Sequence, residues 1–470
     1  MKLIREGLLV MLLASLAFGC AHYQARPLVP AQTAATFESR SLGDPDLKKF
    51  LEENLKIEIA EWPLKIWDFP KLTLAALHFH PSLDVARAQW GVAKAGVQTA
   101  GGRPNPTVGV TPEYNFSAEK AVSPWLATLN VDIPIETAGK RGHRIERAEQ
   151  LSEAARLNLA SAAWLVRANL RTSLLDFTTG QRRLVLLQNQ FEAQQQLVRL
   201  LEQRLQAGAV AALEVTPGRV ALLKTASDLS DAKRQTAEAH TRVAEALGLP
   251  LKAIDGIELR FDSSIEADRD LKSAELRQQA LQRRPDILAA LAEYAASQSA
   301  LQLEIAKQYP DVHIGTGYQF DQGDHKWSLG LTAEIPVLNR NQGPIAEASA
   351  RRTEAAARYL ALQAKVIAEI DRALELQSTA REQLRGSETL VQIQRQQLAS
   401  MQAMLQAGGA DAVEANAVQL EFGAGQRAQL DARFRVQQVL GQLEDALQIP
   451  FDALASIERG RDSQAMKEKP

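Results

Sequence analysis

Few residues of this chain have the types and spacing that covalent chemistry or metal binding requires. Cys20 is the only cysteine among 470 residues, so the chain has neither an internal disulfide nor a cluster of thiolate ligands. His78 and His80 are two positions apart and would not share a face of a helix, so they do not form a ligand pair. The glycine-rich stretch 315–317 lies inside an alternating segment with no helix after it, so it is not a phosphate loop. No nucleophile–base spacing, Walker sequence or zinc motif occurs. We therefore predict no enzyme, no cofactor and no metal site.

Cys20 follows a segment that has the pattern of an export signal. A positively charged start precedes an apolar run over 7–18, which is too short to cross a bilayer as a helix. The run ends in Ala-Phe-Gly-Cys, which resembles the lipobox of bacterial lipoproteins, although leucine is usual in place of the alanine. We predict a signal peptide over 1–19, lipidation of Cys20, and a lipidated N-terminal segment over 20–71. An ordinary secretory signal with an incidental cysteine is the alternative.

The charge and hydropathy of the chain exclude two further classes. Its 54 basic and 56 acidic residues give a net charge of −2, so it lacks the electrostatic footprint of a nucleic-acid-binding protein. After the signal, no apolar run is long enough for a transmembrane helix. If the protein crosses a membrane, it must therefore do so with strands, because backbone groups in lipid need internal hydrogen bonds.

The sequence contains two copies of one unit. Short motifs recur with offsets of 200 to 204 residues. The matching segments are 205–208 and 405–408, 249–250 and 449–450, 132–135 and 334–337, and 80–81 and 284–285. Such internal similarity predicts a repeated architecture. The copies cover 72–250 and 274–450, with a polar connector at 251–273 and a C-terminal tail at 451–470.

Each copy is predicted to begin with an alanine-rich helix and to end with a long helical hairpin. The first helices cover 72–101 and 274–307, and the long helices cover 143–206 and 343–406. A helix of 64 residues is roughly 96 Å long, so it must bury its apolar side against neighbouring helices. Apolar residues at 3-4 spacing along the long helices, with one glutamine in each seam, predict coiled-coil packing.

Four segments between the helices alternate apolar and polar residues. They are 107–116, 125–135, 311–321 and 327–337. Each has about the length of a tilted membrane-spanning strand, with one face suited to lipid and the other to water. Two soluble amphipathic hairpins, each with one face on a core, are the alternative.

Aromatic residues cluster at the strand ends nearest the predicted hairpin loops, 117–124 and 321–326. They are Tyr114, Phe116, Trp125, Tyr318, Phe320 and Trp327, and we expect them to form an interfacial belt at one height. Four strands cannot close a barrel, so several chains must contribute, and three would give twelve strands around a water-filled passage. The predicted fold is thus mainly α with a small β part. It combines a long antiparallel α-helical coiled-coil barrel with four transmembrane strands per chain, which complete a twelve-stranded β-barrel in a homotrimer.

With these features, the sequence resembles the TolC-type outer-membrane efflux factor family over nearly the whole mature chain. Three motifs at strand–helix junctions resemble its heavy-metal branch, the outer-membrane components of cobalt–zinc–cadmium pumps. They lie at 103–106, 139–144 and 338–343. The resemblance implies a trimer, a shared barrel in outer-membrane lipid, a periplasmic helical tunnel and passive conduction of substrate. The implied partners are a periplasmic adaptor protein and an inner-membrane, proton-driven transporter.

The resemblance also implies that the turns of the helical hairpins bind the adaptor and gate the tunnel. The matching tip residues are Ala207, Gly208, Ala209, Ala407, Gly408 and Gly409. Glu414 stands where the family has an Asp in a ring of charge that constricts the closed tunnel, and Glu214 is its counterpart in the first copy. A second family acid is Ala417 here, so Asp411 is a substitute candidate. A ring of three carboxylates would attract cations. The structural alternatives are helix stop signals for the glycines and favourable helix N-terminal charges for the acids.

The sequence leaves functions other than a metal-efflux duct open. A drug or small-molecule duct of the same fold is one alternative, because duct walls contact their cargo weakly. A lipid-anchored periplasmic adaptor would need only one helical hairpin and an inserted β-rich domain, and a lipid-anchored structural coiled coil would need no strands. Two hairpins and four strands favour the duct. The predicted location is the bacterial outer membrane, with a lipid anchor and the helical tunnel in the periplasm.

Overall fold

The computed structural model describes residues 22–118, 122–261 and 273–450. The predicted signal peptide, Cys20, part of the connector and the C-terminal tail lie outside the described residues. The described part is mainly helical, with one four-stranded and one two-stranded sheet. Within it, no helix has both the length and the apolar character needed to cross a membrane.

The elements occur twice in the same order: two helices, two strands, a long helix and its returning helix. An N-terminal segment precedes them, and a short linking segment separates the two series. In chain order they are α1 (Pro30–Glu38), α2 (Pro45–Leu55), β1 (Ile66–Trp67), α3 (Phe69–Phe79), α4 (Pro81–Ala100), β2 (Thr107–Tyr114), β3 (Trp125–Ile135), α5 (Lys140–Gln206), α6 (Ala212–Leu247), a 3₁₀ turn (Leu251–Ala253), β4 (Glu258–Leu259), α7 (Ser273–Arg283), α8 (Pro285–Ala306), β5 (Val312–Asp321), β6 (Asp324–Ala333), α9 (Gln342–Gln406) and α10 (Ala412–Leu447).

The prediction of a single first helix in each copy is wrong. The segment 72–101 is divided between α3 and α4, and 274–307 between α7 and α8. Each break falls on the residue before a proline, where His80 (ψ 121°) and Arg284 (ψ 125°) are extended. A proline disfavours the helical conformation of the preceding residue, but it suits the first position of the next helix.

The two long helices are the largest elements of the fold. α5 has 67 residues and α9 has 65, so each is about 100 Å long. Each pairs with its returning helix, α6 or α10, and α5 also packs against α4, α8 and α10. The two helical hairpins therefore lie side by side within one chain.

The polar gap in each predicted seam is filled by a glutamine that lies opposite a glycine. Gln194 donates through Nε2 to the carbonyl of Gly218 at 3.3 Å. Gln394 is buried, and a Cβ atom at Gly425 would lie only 1.9 Å from its Oε1 atom. In the second copy, the absence of a side chain at Gly425 thus makes room for Gln394 in an otherwise apolar seam.

The N-terminal segment packs onto the first copy only. Leu47, Leu51 and Trp67 are fully buried in one apolar core with side chains of α3, α5 and α6. Arg40 donates through Nη1 to the carbonyl oxygens of Phe79 (2.8 Å) and Gly248 (3.2 Å), and β1 pairs in parallel with β4. The second copy has a separate core between α7, α9 and α10.

Candidate functional site: the sheet, its junctions and the helical tips

The four central strands form one antiparallel sheet in the order β2-β3-β5-β6. The two hairpins are joined through β3 and β5, so the outer edges of the sheet belong to β2 and β6. An open edge presents unpaired backbone N–H and C=O groups, which are ready to pair with another strand.

The predicted strand and loop bounds of the second hairpin are wrong. β6 begins at Asp324 and ends at Ala333, where the sequence predicted a strand over 327–337 and a loop over 321–326. The connection is a two-residue turn at Gln322 and Gly323, which both have positive φ, as tight hairpin turns require. The strand ends early because its last partner is Val312, the first residue of β5. In the first hairpin, β2 ends two residues before the predicted limit of 116.

One face of the sheet is apolar and uncovered. Seven of its larger side chains are between 40% and 81% exposed in the single chain, and they are Val108, Val110, Leu129, Ile133, Trp327, Leu329 and Leu331. The strand register puts them on one face, for example in the row Val110, Leu129, Tyr318 and Trp327. A continuous exposed apolar surface of this kind marks contact with a membrane or another apolar partner.

The opposite face is polar, apart from Leu126 and Pro134. The remaining residues are Thr107, Gly109, Thr111, Glu113, Thr128, Asn130, Asp132, His313, Gly315, Gly317, Gln319, Asp321, Asp324, Lys326, Ser328, Gly330 and Thr332. Lys326 pairs with Asp321 at 2.6 Å, and His313 Nδ1 lies 2.9 Å from Asp132 Oδ2. Carboxylates outnumber basic side chains on this face, so a solution in contact with it would be enriched in cations.

The six aromatic residues of the predicted belt form two clusters, one in each hairpin. The ring of Tyr114 is 5.0 Å from the rings of both Phe116 and Trp125. Tyr318 lies 4.9 Å from Trp327 and, like Phe320, contacts His325. Sequence reasoning missed His325, which lies on the apolar face because β6 begins three residues earlier than predicted.

The junction motifs connect the sheet to the helices. Lys140 is buried and donates through Nζ to the carbonyl of Tyr309 and to Asp311 Oδ1, both at 2.7 Å. Arg141 donates to the carbonyl of Gly101 at 2.8 Å. In the second copy, Asn341 donates to the carbonyl of Glu304 at 2.7 Å. The motifs at 139–144 and 338–343 thus have a structural role. Lys140 fixes the start of α5 to the segment before β5, and Arg141 and Asn341 fix the starts of the long helices to the ends of α4 and α8.

The predicted tip residues form the C-terminal caps of α5 and α9. Gly208 and Gly408 have φ of +71° and +75°. The amides of Ala209 and Gly409 donate back to carbonyls of the last helical turn, at 2.8 and 2.9 Å. Ala207 and Ala407 occupy the C-cap positions. These hydrogen bonds satisfy carbonyl groups that a helix end otherwise leaves unpaired.

The three acidic tip candidates have different surroundings. Glu214 accepts a hydrogen bond from the amide of Ala211 at 3.0 Å, which is a helix-capping contact. Asp411 accepts from the amide of Val413 at 3.0 Å and also pairs with Arg204, at the end of α5. Glu414 is exposed in the first turn of α10. Sequence reasoning missed Arg204, which is 207 residues from its partner.

The Arg204–Asp411 pair joins the tip of the first hairpin to the tip of the second. The hydrogen bond from Arg204 lowers the pKa of the Asp411 carboxyl below its usual value. A carboxylate with a lowered pKa stabilises the folded state at pH values above its ordinary pKa. That contribution is lost only as the pH falls through the lowered value. The link between the tips therefore persists at neutral and mildly acidic pH.

A second link between the copies joins the middle of α5 to the C-terminal end of α10, and its central residues, Arg171 and Glu444, are buried. Arg171 of α5 pairs with both Glu444 and Asp445 of α10, and Arg167 pairs with Glu444 at 2.8 Å. A Cβ atom at Gly441 would lie 2.8 Å from Arg171 Nε, so the glycine admits the arginine. Burial raises the pKa of Asp445 although Arg171 favours its charged form.

The chain matches the outer membrane efflux protein family over residues 72–249 and 276–447. It belongs to that family. Membership confirms the prediction that the chain is an outer-membrane efflux protein and not an enzyme. The apolar face, the polar face and the long helices are therefore features of a protein that acts in export.

Two similar proteins carry names that refer to different substances, metals in one case and pyoverdine in the other. The chain is 24% identical over 282 residues to the cobalt-zinc-cadmium resistance protein CzcC of Cupriavidus metallidurans, a match that covers 60% of this chain and 65% of the relative. It is 23% identical to the pyoverdine export outer membrane protein OpmQ of Pseudomonas aeruginosa, over 48% of each protein. The matches thus span less than two thirds of either relative.

The fold is that of a solved outer-membrane channel. The structure of the channel OprN superimposes with a TM-score of 0.68, with 19% sequence identity over 91% of this chain and 98% of that one. At this level of identity, the likeness establishes the shared fold. Within the described ranges, no group of three or more His, Cys, Asp or Glu side chains is placed to hold a metal ion.

Proposed function

We propose that this chain is one third of a trimeric duct in the outer membrane. The duct conducts substrate passively from a periplasmic adaptor and an inner-membrane, proton-driven transporter to the exterior. The observation that carries this proposal is the four-stranded sheet, which has one exposed apolar face, one polar face and two open edges. Three copies joined edge to edge give twelve strands with lipid outside and water inside.

Residues 334–337 support closure by neighbouring copies. They follow β6 in the chain beyond the point where β5 begins, include a tight turn in which the amide of Val337 donates to the carbonyl of Ile335 at 2.9 Å, and have no strand partner within the described residues. Their counterparts in the first copy, 132–135, do have a partner, because β3 pairs there with β5. We propose that β2 of the next copy pairs with 334–337, and that the two copies of the unit arose by internal duplication.

The repeat determines the register of that contact. Adding 204 to a residue of β2 and 202 to one of β3 converts the observed pair Val108–Val131 into Val312–Ala333, which is also an observed pair. The same offsets convert the central pair Asp132–Gly315 into Glu334 opposite Thr111 of the next copy. The register keeps polar side chains on the polar face, as a closed barrel requires.

The proposed cargo is heavy-metal cations. Two observations support it: the match to CzcC and the excess of carboxylates on the polar face of the sheet. The match to OpmQ favours a second candidate, which is export of a larger organic molecule, as in the predicted drug or small-molecule duct. A periplasmic adaptor is disfavoured, because family membership covers both helical hairpins. Lipidation of Cys20 is part of the proposal and would anchor the N-terminal segment to the membrane.

The cargo is tested by deleting the gene in the native host. Cellular zinc, cobalt, cadmium and copper are measured beside tolerance to a panel of hydrophobic drugs, with the wild-type gene restored as the control. Raised metal content with unchanged drug tolerance supports metal efflux. Raised drug accumulation with normal metal content contradicts the metal cargo and leaves the duct intact.

We further propose that the tips bind the adaptor and gate the tunnel, with Glu414 as the exposed acid and the Arg204–Asp411 ion pair holding the two tips together as a clasp. Replacing Arg204→Gln should raise the open probability of purified channels in planar bilayers by about two- to fivefold, because an exposed ion pair contributes little. Asp411→Asn should add nothing in that background.

The matched control for the tip clasp is Arg219→Gln. Arg219 pairs with Glu202 at 2.7 Å, but both residues belong to the first hairpin, so the pair does not join the two tips. An equal increase in open probability from Arg219→Gln and Arg204→Gln would contradict the clasp.

A further inference from the structure

One histidine of the sheet lies on its polar face. His313 is the second residue of β5, and its Nδ1 atom is 2.9 Å from Asp132 Oδ2 on β3. Both side chains are about two-fifths exposed. His325, by contrast, lies on the apolar face against Tyr318 and Phe320.

The hydrogen bond to Asp132 gives the imidazole a defined orientation. When Nδ1–H donates to a carboxylate, Nε2 keeps its lone pair and becomes the atom free to bind a ligand. Imidazoles that ligate metals commonly have such a carboxylate behind them, which fixes the ring and increases its basicity.

The neighbouring positions leave this ring accessible from the polar side. Asp132 is directly opposite Gly315, and Gly315 is directly opposite Gly330, so on the β5–β6 side of the carboxylate that row carries no side chain. The direct neighbours of His313 are Pro134 and Thr332, and they leave its side chain 42% exposed. Asp311, two residues before His313, is already engaged by Lys140 Nζ and by the amide of Thr137. It is therefore not free to compete with Asp132 for the ring.

We propose that His313, oriented by Asp132, is an open single-imidazole site for divalent cations of the Zn²⁺, Co²⁺ and Cd²⁺ class. Imidazole nitrogen suits these borderline ions better than Mg²⁺ or Ca²⁺, which prefer oxygen ligands. One protein ligand holds such an ion weakly, and weak binding suits a passage because an ion must also leave.

This inference rests on the proposed trimeric duct. In that assembly, three such sites line the passage at one level, near the end of the sheet that joins the helices. Ions leaving the helical tunnel would meet the three imidazoles before they reach the outer half of the sheet.

The test is reversible block of single-channel current by zinc. Purified channels in planar bilayers receive ZnCl₂ on the side of the β-hairpin turns, which gives access through the sheet region. Zinc should lower the unitary conductance of the wild-type channel, and MgCl₂ at the same concentration should not. His313→Gln should abolish the block, and Asp132→Asn should raise the half-blocking concentration by about tenfold.

Two controls separate the possible results. His325→Gln removes a histidine from the apolar face and should leave the zinc block unchanged. All variants must conduct as the wild type does in zinc-free buffer, which shows that they fold. As a second readout, zinc should protect His313 from carbethoxylation by diethyl pyrocarbonate, measured by peptide mass spectrometry.

The results of this experiment distinguish failure of the His313 site from failure of the proposed duct. A conducting wild-type channel that zinc does not block, or a block that persists in His313→Gln, overturns the site and leaves the duct standing. Protein that inserts into the bilayer without conducting, even when Arg204→Gln has removed the proposed clasp, overturns the duct and the site with it.

Discussion

A variant with Thr111→Cys and Glu334→Cys should migrate as a covalent trimer on a non-reducing denaturing gel, whereas each single-cysteine variant should migrate as a monomer. The two residues face each other across the proposed contact between β6 of one copy and β2 of the next. Directly opposed Cα atoms in an antiparallel pair are about 4.5–5.5 Å apart, within the range that a disulfide spans. Cys20 is the only native cysteine, so background crosslinking is low.

The matched control for this experiment moves one cysteine along the same face of the same strand. Thr107→Cys combined with Glu334→Cys separates the thiols by four positions, about 13 Å along the strand, so no crosslink should form. Crosslinking of the Thr107 variant in place of the Thr111 variant would contradict the register. Well-formed trimers that no cysteine pair joins would contradict edge-to-edge closure.

Replacing Glu444→Gln should lower the free energy of unfolding by about 1.5–3 kcal/mol, because it removes the buried carboxylate that Arg167 and Arg171 share and leaves Arg171 paired with Asp445 alone. The side chains of Glu444 and Arg171 are 4% and 8% exposed, so water does not restore the lost interaction. The measurement is a guanidinium titration of purified trimer in detergent, followed by far-ultraviolet circular dichroism.

Asp431→Asn provides the comparison for the buried pair. Arg183 and Asp431 also join α5 to α10, but their side chains are 38% and 54% exposed, so we expect a loss below about 1 kcal/mol. Equal losses for the two variants would show that burial of the Glu444 cluster does not determine its contribution.

Local patterns in the sequence were sufficient to predict the helical hairpins and the two faces of the sheet. Alternation with a period of two is a property of neighbouring residues, so it indicated the apolar face of β3 and β5 without any knowledge of their partners. The helix stop signals at Gly208 and Gly408 are equally local, and both glycines have the expected positive φ.

Features that depend on distant residues could not be predicted in this way. The end of β6 at Ala333 is decided by where β5 begins, and Arg171 is 273 residues from Glu444. The divided first helices are a different case, because Pro81 and Pro285 are visible in the sequence. The alanine-rich pattern indicated one continuous helix, but a proline disfavours the helical conformation of the residue before it, and this effect divides the helix.

Because segment 334–337 is unpaired within the described chain, the rate of the last step of folding in the proposed assembly depends on the concentration of the protein. The contacts of each helical hairpin lie within one chain, so α5 and α6 meet at a rate that dilution does not change. The proposed partner of 334–337 belongs to another molecule, so completing the sheet is an encounter between copies and slows as they become scarce. At low expression, a cell would accumulate single chains whose helices are folded but whose sheet has an unpaired edge that can bind other strands. In the proposed assembly, the amount of protein made therefore determines how long the edge of the sheet stays open.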